Sequence, residues 1–271
     1  MMKNALTVIA LATTLLGVAG CQTVQTTQSG VVGVDRKQAM LVSAAEINQA
    51  AAQEYQKVIA QADQKGRLNR NPQQVQRVRT ITQRLIPTTA AFRQDAPGWK
   101  WEVNVITEDQ VNAWAMPGGK IAVYTGLIDK LQLTDDELAA ILGHEIAHAL
   151  REHSREQVSQ QAATGLVVGV ASAALGLGDV GSQLANMVAD VTFNLPRSRG
   201  AEVEADRIGV ELAARAGYNP HAAVSVWEKM GRVGGGAPPQ FLSTHPSPEN
   251  RLKDLTVYAE RVMPLYQGAR R

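Results

Sequence analysis

Two histidines four residues apart, with a glutamate beside the first, are the residues of this chain best placed to do chemistry. They lie in Ile141-Leu142-Gly143-His144-Glu145-Ile146-Ala147-His148-Ala149-Leu150. On a helix, positions i and i+4 share a face, so His144 and His148 can aim two imidazoles at one point. Zinc accepts such nitrogens at about 2.0–2.1 Å. Glu145 is a neighbour on that face and can reach water at the metal without being a ligand. Two ligands and one base are what metal-assisted peptide hydrolysis requires. The bland alternative is an amphipathic helix with solvated His and Glu. With only five histidines in 271 residues, chance explains the pattern poorly.

A catalytic zinc site needs three protein ligands and one open position. The stretch Ser198-Arg199-Gly200-Ala201-Glu202-Val203-Glu204-Ala205-Asp206-Arg207 offers the third. Glu202 and Asp206 are four apart and share a helix face. Glu202 can bind zinc while Asp206 takes the N–H of a zinc-bound imidazole and fixes its tautomer. Glu204 points elsewhere. Alone, this stretch reads as a solvated, charged helix with ordinary salt bridges. Beside H-E-x-x-H it reads as part of the site.

The elements that must position these groups are legible from local signals. Thr134-Asp135-Asp136-Glu137 is a capping box, and Leu138, Ile141 and Leu142 follow with helical spacing. The predicted metal-binding helix runs over 135–157. Gly143 leaves room on it for another backbone or a substrate. Upstream, apolar stripes predict helices over 36–64 and from Asn71-Pro72 to about Leu85, where Pro87 intervenes. Trp101, Val103 and Val105 alternate with polar residues and predict a strand, and Lys120 to Tyr124 predicts a second. Downstream, 162–178 is small and apolar and reads as a helical hairpin or a mobile segment rather than a membrane span. Further helices are predicted over 202–216, from Asn219-Pro220 to Met230, and from Ser247-Pro248 onward. The fold class is α+β, mainly α-helical, with a small β-sheet beside the H-E-x-x-H helix.

The first residues read as a targeting segment. Met1-Met2-Lys3-Asn4 is a basic start, and Ala5 to Val18 is an apolar run too short to span a bilayer comfortably. Val18-Ala19-Gly20-Cys21 resembles the bacterial lipobox, which makes Cys21 the expected lipidation site and 1–20 the signal peptide. Residues 21–35, rich in Thr, Gln, Gly and Val, read as a tether, and 36–271 as the metallopeptidase domain. Cys21 is the one cysteine, so no internal disulfide can form. Several acyl chains on it would anchor the protein stably. Gln22 after the Cys resembles outer-membrane retention, which places the chain on the periplasmic face. A net charge of +2 gives no electrostatic case for nucleic acid.

The motifs in combination resemble the gluzincin family of the CaaX prenyl protease and HtpX. Closest is its soluble bacterial LoiP- and BepA-like branch, with the mitochondrial Oma type. The resemblance rests on His144-Glu145-x-x-His148, Ser198-Arg199 with Glu202-x-x-Ala205-Asp206, Asn112 to Gly119, Val123-Tyr124-x-Gly126-Leu127, and Ser243-Thr244-His245-Pro246 with Arg251. It spans roughly 39–262. Transmembrane helices like those of HtpX and a repeat domain like that of BepA are not among the predicted elements. The resemblance implies a zincin-like domain, one zinc per chain and endopeptidase activity in envelope protein quality control. The implied partners are unfolded or misassembled envelope proteins, the membrane through Cys21, and envelope chaperones or proteases. In that branch a His at the place of His245 can fill the open zinc position and silence the resting enzyme. It could instead stabilise the oxyanion, or be a plain turn residue before Pro246. His153 and His221 read as ordinary surface residues. Tyr124's strand, or the segment from Asn112 to Met116, is expected to pair with an extended substrate. Two other readings remain open at this stage. One is a lipid-anchored chaperone or assembly factor with an idle metal site, and the other is an integral-membrane protease using 162–178.

Overall fold

A computed structural model gives the fold, and it describes residues 22–174, 180–233, 239–247 and 250–270. Strands β1 (Gln22–Val24) and β2 (Gln38–Met40) form an antiparallel pair. Helices α1 (Ala44–Gln64) and α2 (Pro72–Leu85) follow, then strands β3 (Glu102–Ile106), β4 (Ala113–Met116) and β5 (Lys120–Tyr124). After these come α3 (Thr125–Leu131), α4 (Asp135–Leu150), α5 (His153–Ala174) and α6 (Val180–Phe193). The last described helices are α7 (Arg199–Arg215), α8 (Ala222–Arg232), α9 (Gln240–Thr244) and α10 (Arg251–Ala269). The architecture is α+β and mainly helical, as expected.

The main sheet has the order β3-β5-β4, with β5 parallel to β3 and antiparallel to β4. Its strands β4 and β5 are buried on both faces. Ala113, Ala115, Ile121 and Val123 join the core that contains α4, whereas Trp114, Met116 and Ala122 face a second core with α1 and α6. The small alanines on the α4 side let that helix lie close to β4. Strand β4 is absent from the expected strands for the same reason. A strand apolar on both faces lacks the polar alternation that marks a half-buried one.

Capping explains the helix starts. Thr134 and Glu137 form the expected reciprocal box at α4. Asn71 caps α2 with Pro72 in first position. Ser43 and Glu46 make another box, so α1 begins at Ala44 and not at Arg36, and Gln38–Met40 is free to form β2. Helix α4 ends at Leu150, short of the predicted 157. Glu152 adopts φ 52°, a left-handed conformation that a helix cannot continue through, and α5 restarts at His153.

One further expectation changes. Residues 22–35 are not a free tether: Val32 and Val34 are buried, and the Gln28 N–H donates to the Phe92 carbonyl at 2.8 Å. The cause is Arg151, fully buried, whose Nη1 donates to the hydroxyls of Thr26 and Thr27 at 3.1 Å each. A buried guanidinium demands acceptors, and this segment supplies them. The hairpin reading of 162–178 falls partly outside the described residues, as do Cys21 and everything before it. Among the described residues no helix is long and apolar enough to cross a membrane.

Candidate metal centre

The centre forms where α4 crosses α7. The crossing is glycine on glycine. A Cβ at Gly143 would lie 2.7 Å from the Gly209 carbonyl oxygen, and one at Gly209 would lie 2.7 Å from the His144 nitrogen. Only two residues without side chains let the backbones approach so closely. Asp206 and Glu202 stand at i−3 and i−7 from Gly209, on the face turned to α4. The contact therefore delivers both carboxylates to the histidines.

His144, His148, Glu202 and His245 each offer one donor atom, all within 4.8 Å of one another and all buried. The Nε2 atoms of His144 and His148 are 3.0 Å apart. Glu202 Oε2 lies 3.5 Å from His144 Nε2, and Oε1 lies 3.3 Å from His148 Nε2. A tetrahedral ion with ~2.0–2.1 Å bonds has its ligands about 3.3–3.4 Å apart. The donor set fits.

Hydrogen bonds behind each ring fix which nitrogen faces the centre. Asp206 Oδ1 lies 3.0 Å from His144 Nδ1. A carboxylate only accepts, so Nδ1 carries the proton and Nε2 keeps its lone pair. Glu204 Oε2 accepts from His153 Nε2 at 3.1 Å. His153 Nδ1 is then an acceptor and takes the proton of His148 Nδ1 at 2.8 Å. His245 Nδ1 donates to the Phe241 carbonyl at 3.1 Å, and its ring stacks on Phe241 at 4.2 Å. All three imidazoles thus present an Nε2 lone pair to one point. Burial pushes His148 and His245 well below the ordinary histidine pKa, which keeps both rings neutral, the form that binds metal. Lone pairs this close repel unless a cation lies between them. Glu202 Oε1 and His245 Nε2 have no hydrogen-bond partner, as ligands awaiting an ion would not.

Glu145 is fully buried beside the ligands. Its Oε2 accepts from the Ala115 N–H of β4 at 3.0 Å. Its Oε1 has no hydrogen bond and lies 3.4 Å from His245 Nε2. Burial raises its pKa to about 7, against the lowering pull of His144 and Arg197. Burial also raises Glu202. For Asp206 burial acts in the same upward direction, but the charge of Arg251 and the bond to His144 outweigh it and hold the carboxyl below its usual range.

The structure brings together His144, Glu145, His148, Glu202, Asp206 and His245. Cys21 lies outside the described residues. His153 departs from its expected surface role: it is 3% exposed and orients His148. Its signal was the Arg151-Glu152 break, which a helical extrapolation runs straight through. His221 does lie at the surface, paired with Glu260 at 3.2 Å. Glu204 points away from the centre, but it is buried and bonds Arg36 and Arg151 besides His153. Arg251 had a sequence match but no assigned role. Its Nη2 donates to Asp206 Oδ1 at 2.7 Å and to Glu202 Oε2 at 3.2 Å, with the guanidinium 3.2 Å from the centroid of Trp227. It holds both carboxylates in place.

The mitochondrial metalloendopeptidase OMA1 of Arabidopsis thaliana is 41% identical over 156 residues, 58% of this chain and 31% of the relative. The OMA1 of Saccharomyces cerevisiae is 30% identical over 181 residues, 63% of this chain and 50% of the relative. The beta-barrel assembly-enhancing protease of Yersinia pestis is 29% identical over 206 residues, 72% of this chain and 40% of the relative. The chain thus spans at most half the length of these three relatives. The profile of Peptidase family M48 matches residues 72–259, which takes in the three-stranded sheet and every residue of the donor set. The resemblance expected from the motifs holds, and the chain belongs to peptidase family M48.

Proposed function

We propose that this protein is a zinc-dependent endopeptidase that cuts unfolded or unassembled proteins of the bacterial envelope, held at the periplasmic face of the outer membrane by lipid on Cys21. The observation that carries the reading is the convergence of three Nε2 lone pairs and one carboxylate on a single point, with a second carboxylate free to move protons beside it. A structural metal site has no use for that second group. The M48 assignment and the relatives named as metalloendopeptidases support the peptidase part. The relative named as a beta-barrel assembly-enhancing protease and the sequence pattern ending in Cys21 support the envelope part.

His144, His148 and Glu202 would hold a zinc ion, which would supply Lewis-acid polarisation of the scissile carbonyl and acidify water. Glu145 takes the proton of the attacking water and delivers it to the leaving amine. Asp206 and the His153–Glu204 pair hold the ligand rings, and Arg251 holds Asp206 and Glu202. His245 Nε2 faces the same point and would keep a substrate carbonyl from it in the resting protein.

The substrate lies along β4. Strand β5 is central, with β3 on one side and β4 on the other, so Tyr124's strand has no free edge and that alternative falls. The Tyr124 N–H bonds the Asn112 carbonyl. Antiparallel pairs alternate, so the backbone groups of Ala113 and Ala115 point away from β5 toward the centre. The Ala115 N–H is held by Glu145, so an extended peptide would pair with the remaining groups of that edge, which favours unfolded chains, whose backbone groups are largely unpaired.

Metal analysis and casein cleavage by the wild type and Glu145→Gln test the reading. Both should hold one zinc per chain, with cleavage by the variant at least about 100-fold lower. Equal client binding without cleavage by either would replace the peptidase with a lipid-anchored scaffold. For the anchor, Cys21→Ser should move the protein from the membrane to the soluble fraction, and retention in the membrane would refute lipidation.

A further inference from the structure

Arg36 lies two residues before β2 and outside residues 72–259, which the family profile matches. The chemistry above gives it no role. Its place is set from within the domain. Arg151, fully buried, donates from Nη2 to the Arg36 carbonyl at 2.8 Å. Gln38, two residues on, donates to the Arg151 carbonyl at 2.8 Å and to Glu156 Oε2 at 2.7 Å. The Arg36 guanidinium then joins two helices. Its Nη1 and Nη2 donate to the two oxygens of Glu156, in the first turn of α5, at 2.6 and 2.9 Å. Its Nε donates to Oε1 of Glu204, on α7, at 2.5 Å. Charge-assisted, forked bonds of this kind are among the stronger polar contacts.

His153 opens α5 and stands three residues from Glu156 on that helix, while its Nε2 donates to Glu204 Oε2 at 3.1 Å. The two oxygens of Glu204 therefore have separate duties. Oε2 accepts from His153 and, at 2.8 Å, from Arg151 Nε, while Oε1 faces Arg36. The terminal torsion of a glutamate is soft and roughly two-fold, so bonds at both oxygens fix the plane of the carboxylate. That plane aims the acceptor for His153 Nε2–H. The His153 ring in turn offers His148 the acceptor that leaves His148 Nε2 turned to the donor set. An ion pair that only fastened the N-terminal segment would add stability and leave the centre alone.

We infer that Arg36 is a positioning residue for the metal centre, acting through Glu204 and His153 on His148. Its role rests on the metal site of the proposed function and not on peptidase activity. Loss of a direct partner of a ligand histidine lowers metal affinity about 10–100-fold. Arg36 acts one step further out, and its side chain is 42% exposed, so water takes over part of its bonds. Its loss should lower affinity about three- to tenfold.

The test reads zinc affinity of the full chain, by competition with a chromophoric chelator, in the wild type, Arg36→Met, His153→Phe and the double variant. Arg36→Met should bind zinc about three- to tenfold more weakly than the wild type. His153→Phe cuts the relay, so adding Arg36→Met to it should change affinity by less than about twofold. Arg77→Met removes an ion pair to Asp135 at the start of α4 and should keep wild-type affinity. The visible spectrum of the cobalt-loaded protein follows ligand geometry; it should shift in Arg36→Met and not in Arg77→Met. Arg36→Lys keeps the charge but cannot span both acids. It should fall between the wild type and the Met variant, and it serves if the Met variant does not fold. Wild-type affinity in a folded Arg36→Met protein, or an equal loss in the wild-type and His153→Phe backgrounds, overturns the inference alone. The expected affinities without any cleavage of casein replace the peptidase reading and leave the role of Arg36 standing. No zinc binding by the wild type overturns both.

Discussion

His153 provides the sharpest perturbation of the metal centre, because it touches no metal and acts wholly through His148. Its Nδ1 accepts from His148 Nδ1 at 2.8 Å, and its Nε2–H donates to Glu204 Oε2 at 3.1 Å. Removing it leaves a buried donor on His148, which costs about 1–3 kcal/mol when unmet. Glu204 still has Arg36 and Arg151, so no second group is stranded. Loss of such a supporting partner lowers metal affinity about 10–100-fold, or about 1.4–2.7 kcal/mol. The two obvious variants should differ. His153→Ala opens a space between His148 Nδ1 and Glu204 Oε2, two polar partners that suffice to hold a water. That water restores an acceptor, so the loss should lie near tenfold. His153→Phe fills the space with a ring that accepts nothing, and the loss should approach 100-fold. Zinc affinity is read by competition with a chromophoric chelator at neutral pH, with His221→Ala as a surface control. Equal affinities in all four proteins, or a greater loss in Ala than in Phe, would refute the relay.

Three further outcomes follow from the geometry. Gly143→Ala places a Cβ 2.7 Å from the Gly209 carbonyl; it should cost about 1–3 kcal/mol of stability in denaturant unfolding of the metal-free protein, and an unchanged midpoint would mean the two helices do not meet there. His245→Ala should keep zinc and raise casein cleavage, as expected if its ring blocks the position a substrate carbonyl needs; reduced cleavage with zinc retained would make it a catalytic helper instead. Burial would raise Glu156, but hydrogen bonds from Arg36 and Gln38 outweigh that and hold it below its unperturbed 4.5. A lowered carboxylate contributes stability that is full above the unfolded pKa and is lost as pH falls below it. Stability of the metal-free protein should therefore fall between about pH 6 and pH 3 less steeply in Glu156→Gln than in the wild type, and equal slopes would show that Glu156 is not paired.

The part of the site that could be read from sequence is the part built from one helix. His144, Glu145 and His148 share α4, whose start is written in the Thr134–Glu137 box, so spacing alone predicts their geometry. Glu202 and Asp206 were reachable because i and i+4 on a second helix obey the same rule. The approach of the two helices was half legible: Gly143 marked a close contact, but nothing in its neighbourhood pointed to Gly209. The residues that sequence patterns misplaced have another property in common. Thr26 and Thr27 look like a hydrophilic tether, and Arg36 and Gln38 like the polar start of a helix, yet Arg151 and Glu156 use them as partners. His153 looks like a surface residue on a continuing helix, yet Glu204 holds it. Composition records that a residue is polar, not whether its partner is water or a side chain more than a hundred positions away. A buried polar group must be bonded, so each of these contacts is obligatory once the fold exists. Hydrophobic periodicity carries no trace of them, because it reports which face of an element is buried and not which polar group meets which. The ligand motif escapes this limit only because a metal site imposes its spacing on neighbours in the chain.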